Sequence, residues 1–248
     1  MFIGPKINGE IINSVALSGP EQMAADVMML EKLIHRNDEM QMTVRFYTWQ
    51  GIWLSIGHNQ NKIPKEWIDL NNEKKLKIVR RPTGGTGVLH GGGLTYSLAW
   101  KSPPRKRHKS YIEASQWLIN CFTNLGFPLK FGNQNLLNSS KNCFSTSSAA
   151  DLIDEKGIKR IGSAQLWKQG HVLQHGEILL DPPKQLWKEI FLTDPPTAAP
   201  NKIPRVGLEK LLINALVLNW PNVKWTKNSF TAEELTKITA SSKSYLKK

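Results

Sequence analysis

The sequence predicts one domain of the α/β (α+β) class: a mixed, largely antiparallel β-sheet flanked by helices. Three observations carry that expectation. Strand-like and helix-like segments follow one another without a strict strand–helix–strand rhythm, which disfavours a purely parallel sheet. The 248 residues are 40% hydrophobic and 21% charged, enough apolar material for a buried core in one unit. No run approaches the roughly 18 apolar residues that a membrane helix needs.

The elements follow in order. "SGPEQMAADVMMLEKLIHR" reads as a helix: Ser18 and Glu21 have capping-box spacing, and Met23, Val27, Leu30 and Ile34 share a face. "MTVRFYTW" alternates, with Val44, Phe46 and Thr48 on one side, as a strand does. "GIWLSIGHNQ" reads as a second strand after a Gln50–Gly51 turn. "KLKIVRR" and "VLHGGGLTYSLAW" flank Pro82–Gly87, giving strand, glycine loop, strand. "YIEASQWLINCFTNLG" is a helix striped by Tyr111, Ala114, Leu118, Cys121, Phe122 and Leu125, with Gly126 placed as its C-cap. "GIKRIGSAQLWKQGHVLQHGEILL" suggests two strands turning at Lys168–Gly170. Beyond the proline-rich connection Pro195–Pro204 the chain reads as helical, with a second capping box at Thr231 and Glu234.

Charge and cysteine content bound the function. The net charge of +13 comes from mostly scattered residues. One dense run, "RKRHK" at Arg105–Lys109, follows "SPP" and reads as a loop without aromatics to stack bases. A solvated loop is its leading reading, docking of an acidic protein the second and nucleic acid the third. No CxxC occurs, and the N-terminal stretch lacks the pattern of a secretory signal, so the expected address is the cytoplasm with reduced thiols. Cys121 lies on an apolar helix stripe and reads as a core residue. Cys143 lies in the polar, aperiodic "NSSKNCFSTSSAAD", where a thiol can meet solvent. His171 and His175 have ligand spacing only on a helix; on a strand they stand about 13 Å apart, so no metal site is expected.

"RRPTGGTGVLHGGG", Arg80–Gly93, is the most unusual stretch, with six glycines between paired arginines and the end of the run. Glycines let backbone N–H groups approach a ligand, and Arg80 and Arg81 offer planar forks for phosphate or carboxylate. An anionic or polarised ligand is one reading; a glycine-rich hairpin with a bulge is the other. No GK[ST] follows, and the segment leads into a strand, which excludes a P-loop and a dinucleotide fingerprint.

"RRPTGGTGVLHGGGLTYS" resembles the signature loop of the lipoate–protein ligase and protein octanoyltransferase superfamily. "RFYTWQGIWLSIGHNQ" is similar to the strand pair before that loop, and "IKRIGSAQLWKQGHVLQHGEILL" resembles the segment with the family's active-site lysine. The resemblance implies a biotin/lipoate protein ligase-like catalytic domain, a single one over residues 1–248, with core motifs at 21–181 and a helical C-terminal part at 184–248. Within it, Cys143–Phe144 takes the place of the cysteine in the octanoyltransferase branch, which forms an acyl-cysteine intermediate, and Lys159 that of the catalytic lysine. The implied substrate-binding residues are Arg80, Arg81, Thr83, Gly84, Gly85, His90, Gly162, Ser163, Ala164 and His175. Where octanoyltransferases often carry Arg–Ala and an acidic or polar residue, this chain has Thr86–Gly87 and, after His90, three glycines.

The implied activity is transfer of an octanoyl or lipoyl group from acyl carrier protein, through Cys143, to a lysine of a lipoyl domain or glycine-cleavage H protein. No cofactor is then required. Both partners are acidic, which gives the +13 charge a use in steering. The alternatives are an ATP- and magnesium-dependent lipoate–protein ligase working through an acyl-adenylate, and a non-catalytic binder on the same scaffold.

Overall fold

Strand alternation gives the central sheet two unlike faces. In the segment Met40–Tyr47, Met42, Val44 and Phe46 point to one side and Thr43, Arg45 and Tyr47 to the other, as a pleat of period two requires. The computed structural model describes residues 7–132 and 150–246. Its large sheet runs in the order β11 (Val223–Asn228), β1 (Ile7–Ile12), β2 (Met40–Tyr47), β6 (Gly93–Trp100), β10 (His171–Leu179), β9 (Lys159–Lys168), β8 (Leu152–Ile153), β7 (Lys130–Phe131). Strand β1 pairs parallel with both β11 and β2, and the remaining pairings are antiparallel, as expected of a mixed, largely antiparallel sheet. A small sheet sets β3 (Trp53–Ile56) between β4 (Lys77–Arg80) and β5 (Val88–His90).

Helices cover both faces of the large sheet. The apolar face packs under α3 (Arg107–Asn124) and α5 (Leu208–Asn219), and Trp117 of α3 meets Phe46 and Tyr96 edge-on at 5.9 and 5.5 Å. The other face packs under α1 (Gly19–His35), which is backed by α6 (Ala232–Ser242) through Ala24, Ala25 and Ile238. Helices α2 (Lys65–Asn72) and α4 (Lys184–Phe191) close a separate core on the small sheet, built around Trp67, Trp187 and Phe191. Among the described residues no helix is long and apolar enough to cross a membrane.

Several expectations change in detail. The strand pair at 42–60 does not form a hairpin: β2 is already flanked by β1 and β6, so β3 leaves for the small sheet. "VLHGGGLTYSLAW" divides at Gly91–Gly92, its first part in the small sheet and its second in the large one. Arg107–Lys109 form the first turn of α3 rather than a loop. That helix ends as its sequence predicts, with Gly126 at φ 67° donating to Thr123 and Phe127 donating to Phe122, a Schellman closure. The C-terminal stretch, read as helical, also contributes β11, whose Val223 is buried while Lys224 faces out.

The crossing between sheets rests on Gly92, which has φ 76° and whose Cβ, if present, would stand 1.8 Å from the Asp181 carbonyl oxygen. By contrast nothing lies within 4 Å of a Cβ at Gly84. Gly92→Ala is therefore expected to cost about 1–3 kcal/mol of stability, and Gly84→Ala less than about 0.5. Thermal or urea unfolding of the two variants reads the difference, and equal stability would show that the crossing tolerates rearrangement.

Candidate active site

A cavity of about 540 Å³ opens where the two sheets meet. The small sheet contributes Ser55, Val88 and His90; the large one contributes Thr95, Lys159, Gly162, Ser163, Ala164, His175, Gly176 and Glu177. Arg81, Gly84 and Gly85 reach it from the glycine loop, Trp49 from the turn after β2, and Arg107 and Tyr111 from the start of α3. Arg80 and Thr83 stand behind that lining, and Cys143 lies outside the described residues.

The paired arginines brace backbone: Arg80 holds the turn after β3, and Arg81 holds the glycine loop against β3. Arg80 Nη1 donates to the carbonyls of Gly57, His58 and Gln60 at 2.9, 3.1 and 3.0 Å. Arg81 donates to the carbonyls of Ser55, Gly84 and Thr86 at 2.9, 2.7 and 2.8 Å. A guanidinium fork can satisfy several carbonyls at once, so the charge beside the glycines locks a turn that would otherwise expose unpaired backbone. The glycines serve the same fit. Gly85 takes φ 95°, and a Cβ at Gly87 would stand 2.5 Å from the Trp67 ring.

Two buried histidines face the cavity, each strung between a carboxylate and a hydroxyl. His175 meets Asp26 Oδ2 through Nδ1 at 2.8 Å and Thr83 Oγ1 through Nε2 at 2.7 Å. Asp26 is fully buried in α1 and also accepts from Arg45 Nε at 2.9 Å and Tyr47 Oη at 3.0 Å. Burial alone would raise its pKa, but Arg45 and His175 outweigh that and hold it below the usual carboxylate value. The same burial, with the Asp26 charge adding to it, drives the Tyr47 phenol well above its ordinary value.

His90 repeats the pattern, with Nδ1 2.9 Å from Glu177 Oε2, Nε2 2.8 Å from Ser55 Oγ and its ring stacked 4.0 Å from Trp49. Burial lowers the His90 pKa and Glu177 only partly opposes it, so the ring is neutral at pH 7. Nδ1–H then donates to Glu177, and Nε2 accepts from the Ser55 hydroxyl. A Cβ at Gly93 would stand 2.1 Å from Glu177 Oε1, so that glycine leaves the room the carboxylate occupies.

The third feature is a buried ion pair, Lys159 Nζ to Asp151 Oδ2 at 2.9 Å. The neighbouring Arg160 pairs instead with Asp154 and the Thr197 carbonyl and does not line the cavity. Beside Lys159, Gly162–Ala164 form a wall against Gly176, where a Cβ would stand 2.6 Å from the Tyr96 ring. Gly132 N–H donates to the Asp151 carbonyl at 2.9 Å, so the chain on either side of 133–149 meets next to Lys159. Burial lifts the Tyr111 phenol to about 12, with Asp151 adding to that shift and Arg107 opposing it. His171 lies at the hairpin tip and accepts from Ser102 N–H at 3.0 Å, apart from His175.

Sequence reasoning missed Asp26, Ser55, Glu177, Tyr47 and Trp49. Asp26 was the most legible: a carboxylate three residues after Met23 and four before Leu30 sits on an apolar helix face. Cys121 is buried in α3 as its stripe implies, and burial pushes its thiol up to about 11.

The profile of the lipoyl protein ligase A/B catalytic domain matches residues 19–209. The protein is 38% identical over 178 residues to octanoyltransferase LipM of Brevibacillus brevis, an alignment covering 67% of this chain and 63% of that protein. It is 33% identical over 241 residues to octanoyltransferase LipM of Bacillus anthracis, covering 91% and 81%. The chain thus spans under two thirds of the Brevibacillus relative and more of the Bacillus one. Its backbone is similar to that of a lipoate-protein ligase A bound with ATP, at TM-score 0.75 and 17% identity over 96% of this chain and 95% of that one. It is also similar to a bi-partite lipoate protein ligase of Thermoplasma acidophilum, at TM-score 0.68 and 16% identity over 96% and 92%. At such identities the likeness is one of fold.

Two outcomes follow from the buried groups. Because Asp26 titrates lower folded than unfolded, its stabilisation is complete above the unfolded pKa near 3.8 and lost as pH falls through the folded value. Asp26→Asn is expected to cost about 3–5 kcal/mol at pH 7 by leaving Arg45 without its charge partner, and to flatten the acid limb of the stability curve. Denaturant titrations from about pH 7 down to about pH 2 read both effects. Cys121, with so high a thiol pKa, is expected to resist maleimide at pH 7 until denaturant is added, as peptide mapping of the labelled protein would reveal.

Proposed function

The chain belongs to the lipoyl protein ligase A/B catalytic domain family, and on that premise we propose that it is a protein acyltransferase. It takes an octanoyl (or lipoyl) group from acyl carrier protein onto Cys143 as a thioester. It then passes the group to a specific lysine of a lipoyl domain or glycine-cleavage H protein. The observation that carries this reading is the buried Lys159–Asp151 pair on a cavity wall of small residues, in a chain with relatives named octanoyltransferase. The proposed setting is the cytoplasm, where the thiol stays reduced.

The chemistry balances without a cofactor. The Cys143 thiolate attacks the donor thioester carbonyl and the carrier's thiolate leaves, one thioester exchanged for another. The neutral amine of the acceptor lysine attacks the acyl-cysteine, the amide C–N bond forms and the C–S bond breaks. The amine's proton passes to the departing sulfur. Lys159, held by Asp151, supplies positive charge where the carbonyl oxygen becomes an oxyanion in both steps. Gly162, Ser163 and Ala164 leave room for the acyl chain, His175 lines the cavity beside them on the neighbouring strand, and His90 lines it from the small sheet. Cys143 follows Gly132 and precedes Asp151, residues whose backbones are hydrogen-bonded beside Lys159.

A lipoate–protein ligase using ATP and magnesium is the second reading, favoured by the backbone it shares with the ATP-bound ligase. Against it, both arginines are engaged with backbone carbonyls: Arg80 with those of Gly57, His58 and Gln60, and Arg81 with those of Ser55, Gly84 and Thr86.

Intact-mass analysis separates the readings. Incubation with octanoyl-carrier protein and no ATP is expected to add one octanoyl group, lost in Cys143→Ser and kept in Cys121→Ser. Acceptor modification that requires free octanoate and ATP would replace the transferase with the ligase, and ligand binding without any modification would leave a binder. Lys159→Gln is expected to lower the transfer rate by about 10²–10³-fold, read by single-turnover kinetics on the octanoylated enzyme.

A further inference from the structure

The first turn of α3 carries a charge arrangement that helix stability opposes. Arg105, Lys106, Arg107, His108 and Lys109 are consecutive and exposed, and Lys106 is the N-cap. The positive end of a helix dipole favours acids and disfavours cations. Here the first turn holds no acid, and the N-cap makes no side-chain hydrogen bond. The segment from Lys101 to Lys109 contains five Lys or Arg and no Asp or Glu. Its nearest neutralising contact on the helix is an exposed pair, Lys109 to Glu113 at 3.7 Å. Folding does not account for this run.

Position supplies a reason. Arg107 lines the same cavity as Lys159 and Asp151, and the loop before α3 is fixed to the β9–β10 hairpin tip by the Ser102–His171 bond. The basic run therefore sits on the rim of the reaction cavity, on a scaffold that does not need it. We infer that Arg105–Lys109 is the docking surface for the acidic acyl-carrier donor, whose phosphate-bearing arm enters past Arg107. This rests on the transferase reading above.

Charge selects the donor over the other partner. An acyl group carried on a phosphopantetheine arm brings a phosphodiester to the rim, which Arg107 attracts. An acceptor lysine brings an ammonium group, which Arg107 repels. Nucleic acid fits less well, because "SPPRKRHKS" offers no aromatic ring for base stacking. A membrane surface fits less well too, since the run has no apolar side chain to insert.

The test is the double variant Arg105→Glu/Lys106→Glu, which leaves Arg107 and the cavity intact. Initial rates are measured with octanoyl-carrier protein and with octanoyl-pantetheine as donors, at low and high salt. The expected result is a fall of about tenfold or more in kcat/KM for the carrier-bound donor at low salt, and weaker salt dependence. The free thioester, having no protein to dock, should be used as before. The melting temperature should hold or rise, because acids replace cations at a helix start.

Equal losses for both donors would overturn the inference, as would an unchanged carrier rate. A loss confined to the acceptor's KM would assign the surface to the acceptor, and displacement of carrier protein by a short DNA duplex would assign it to nucleic acid. Calorimetric titration with holo-carrier protein keeps the two proposals apart. Binding by the parent chain but not by the double variant, in a protein that transfers nothing, would sink the transferase reading and leave the docking surface standing.

Discussion

Asp26 is the hinge of the architecture. Its single carboxylate accepts from Arg45 and Tyr47 on β2 and from His175 on β10, so one buried charge fastens α1 to two strands of the large sheet. His175 extends the chain of bonds to Thr83 and hence to the glycine loop. A lone carboxylate at that depth would protonate or pull in water; with a guanidinium, a phenol and an imidazole around it, the charge is compensated and oriented. The walls of the cavity owe their mutual position to that cluster, since the loop and the strand that form them meet there.

A second carboxylate does for His90 what Asp26 does for His175. Glu177, itself held by the Thr95 hydroxyl, fixes the ring from one side, Ser55 from another, and Trp49 covers its face. The two histidines thus present rings of fixed orientation to the same cavity. Locked imidazoles add little mobility to a site, but they set which atoms can give or take a proton at its polar end.

Much of this was legible in the chain and some was not. The alternation of Val44 and Phe46, the capping boxes at Ser18 and Thr231, and Gly126 as a helix end all act locally, and local signals survive in sequence. The placement of Lys159, Gly162–Ala164, His90 and His175 around one cavity followed from motif resemblance and could not have come from periodicity. What sequence could not give was the partner of each group. That Arg80 and Arg81 would bond loop carbonyls, or that Glu177 would reach His90 from 87 residues away, depends on strand register. The helical start at Arg107 was hidden because a basic run reads as a break, not as a first turn.

The crowded corner at Gly93 couples two positions of the chain. Glu177 Oε1 and the Ile178 carbonyl oxygen already fill the space where a Cβ would project, at 2.1 and 2.7 Å. Position 93 and position 177 are therefore tenants of one volume. A lineage that places a side chain at the first must shrink the second and shift the strand beneath it. His90, in the small sheet, would then lose the carboxylate that reaches it from the large one, so the two positions constrain each other.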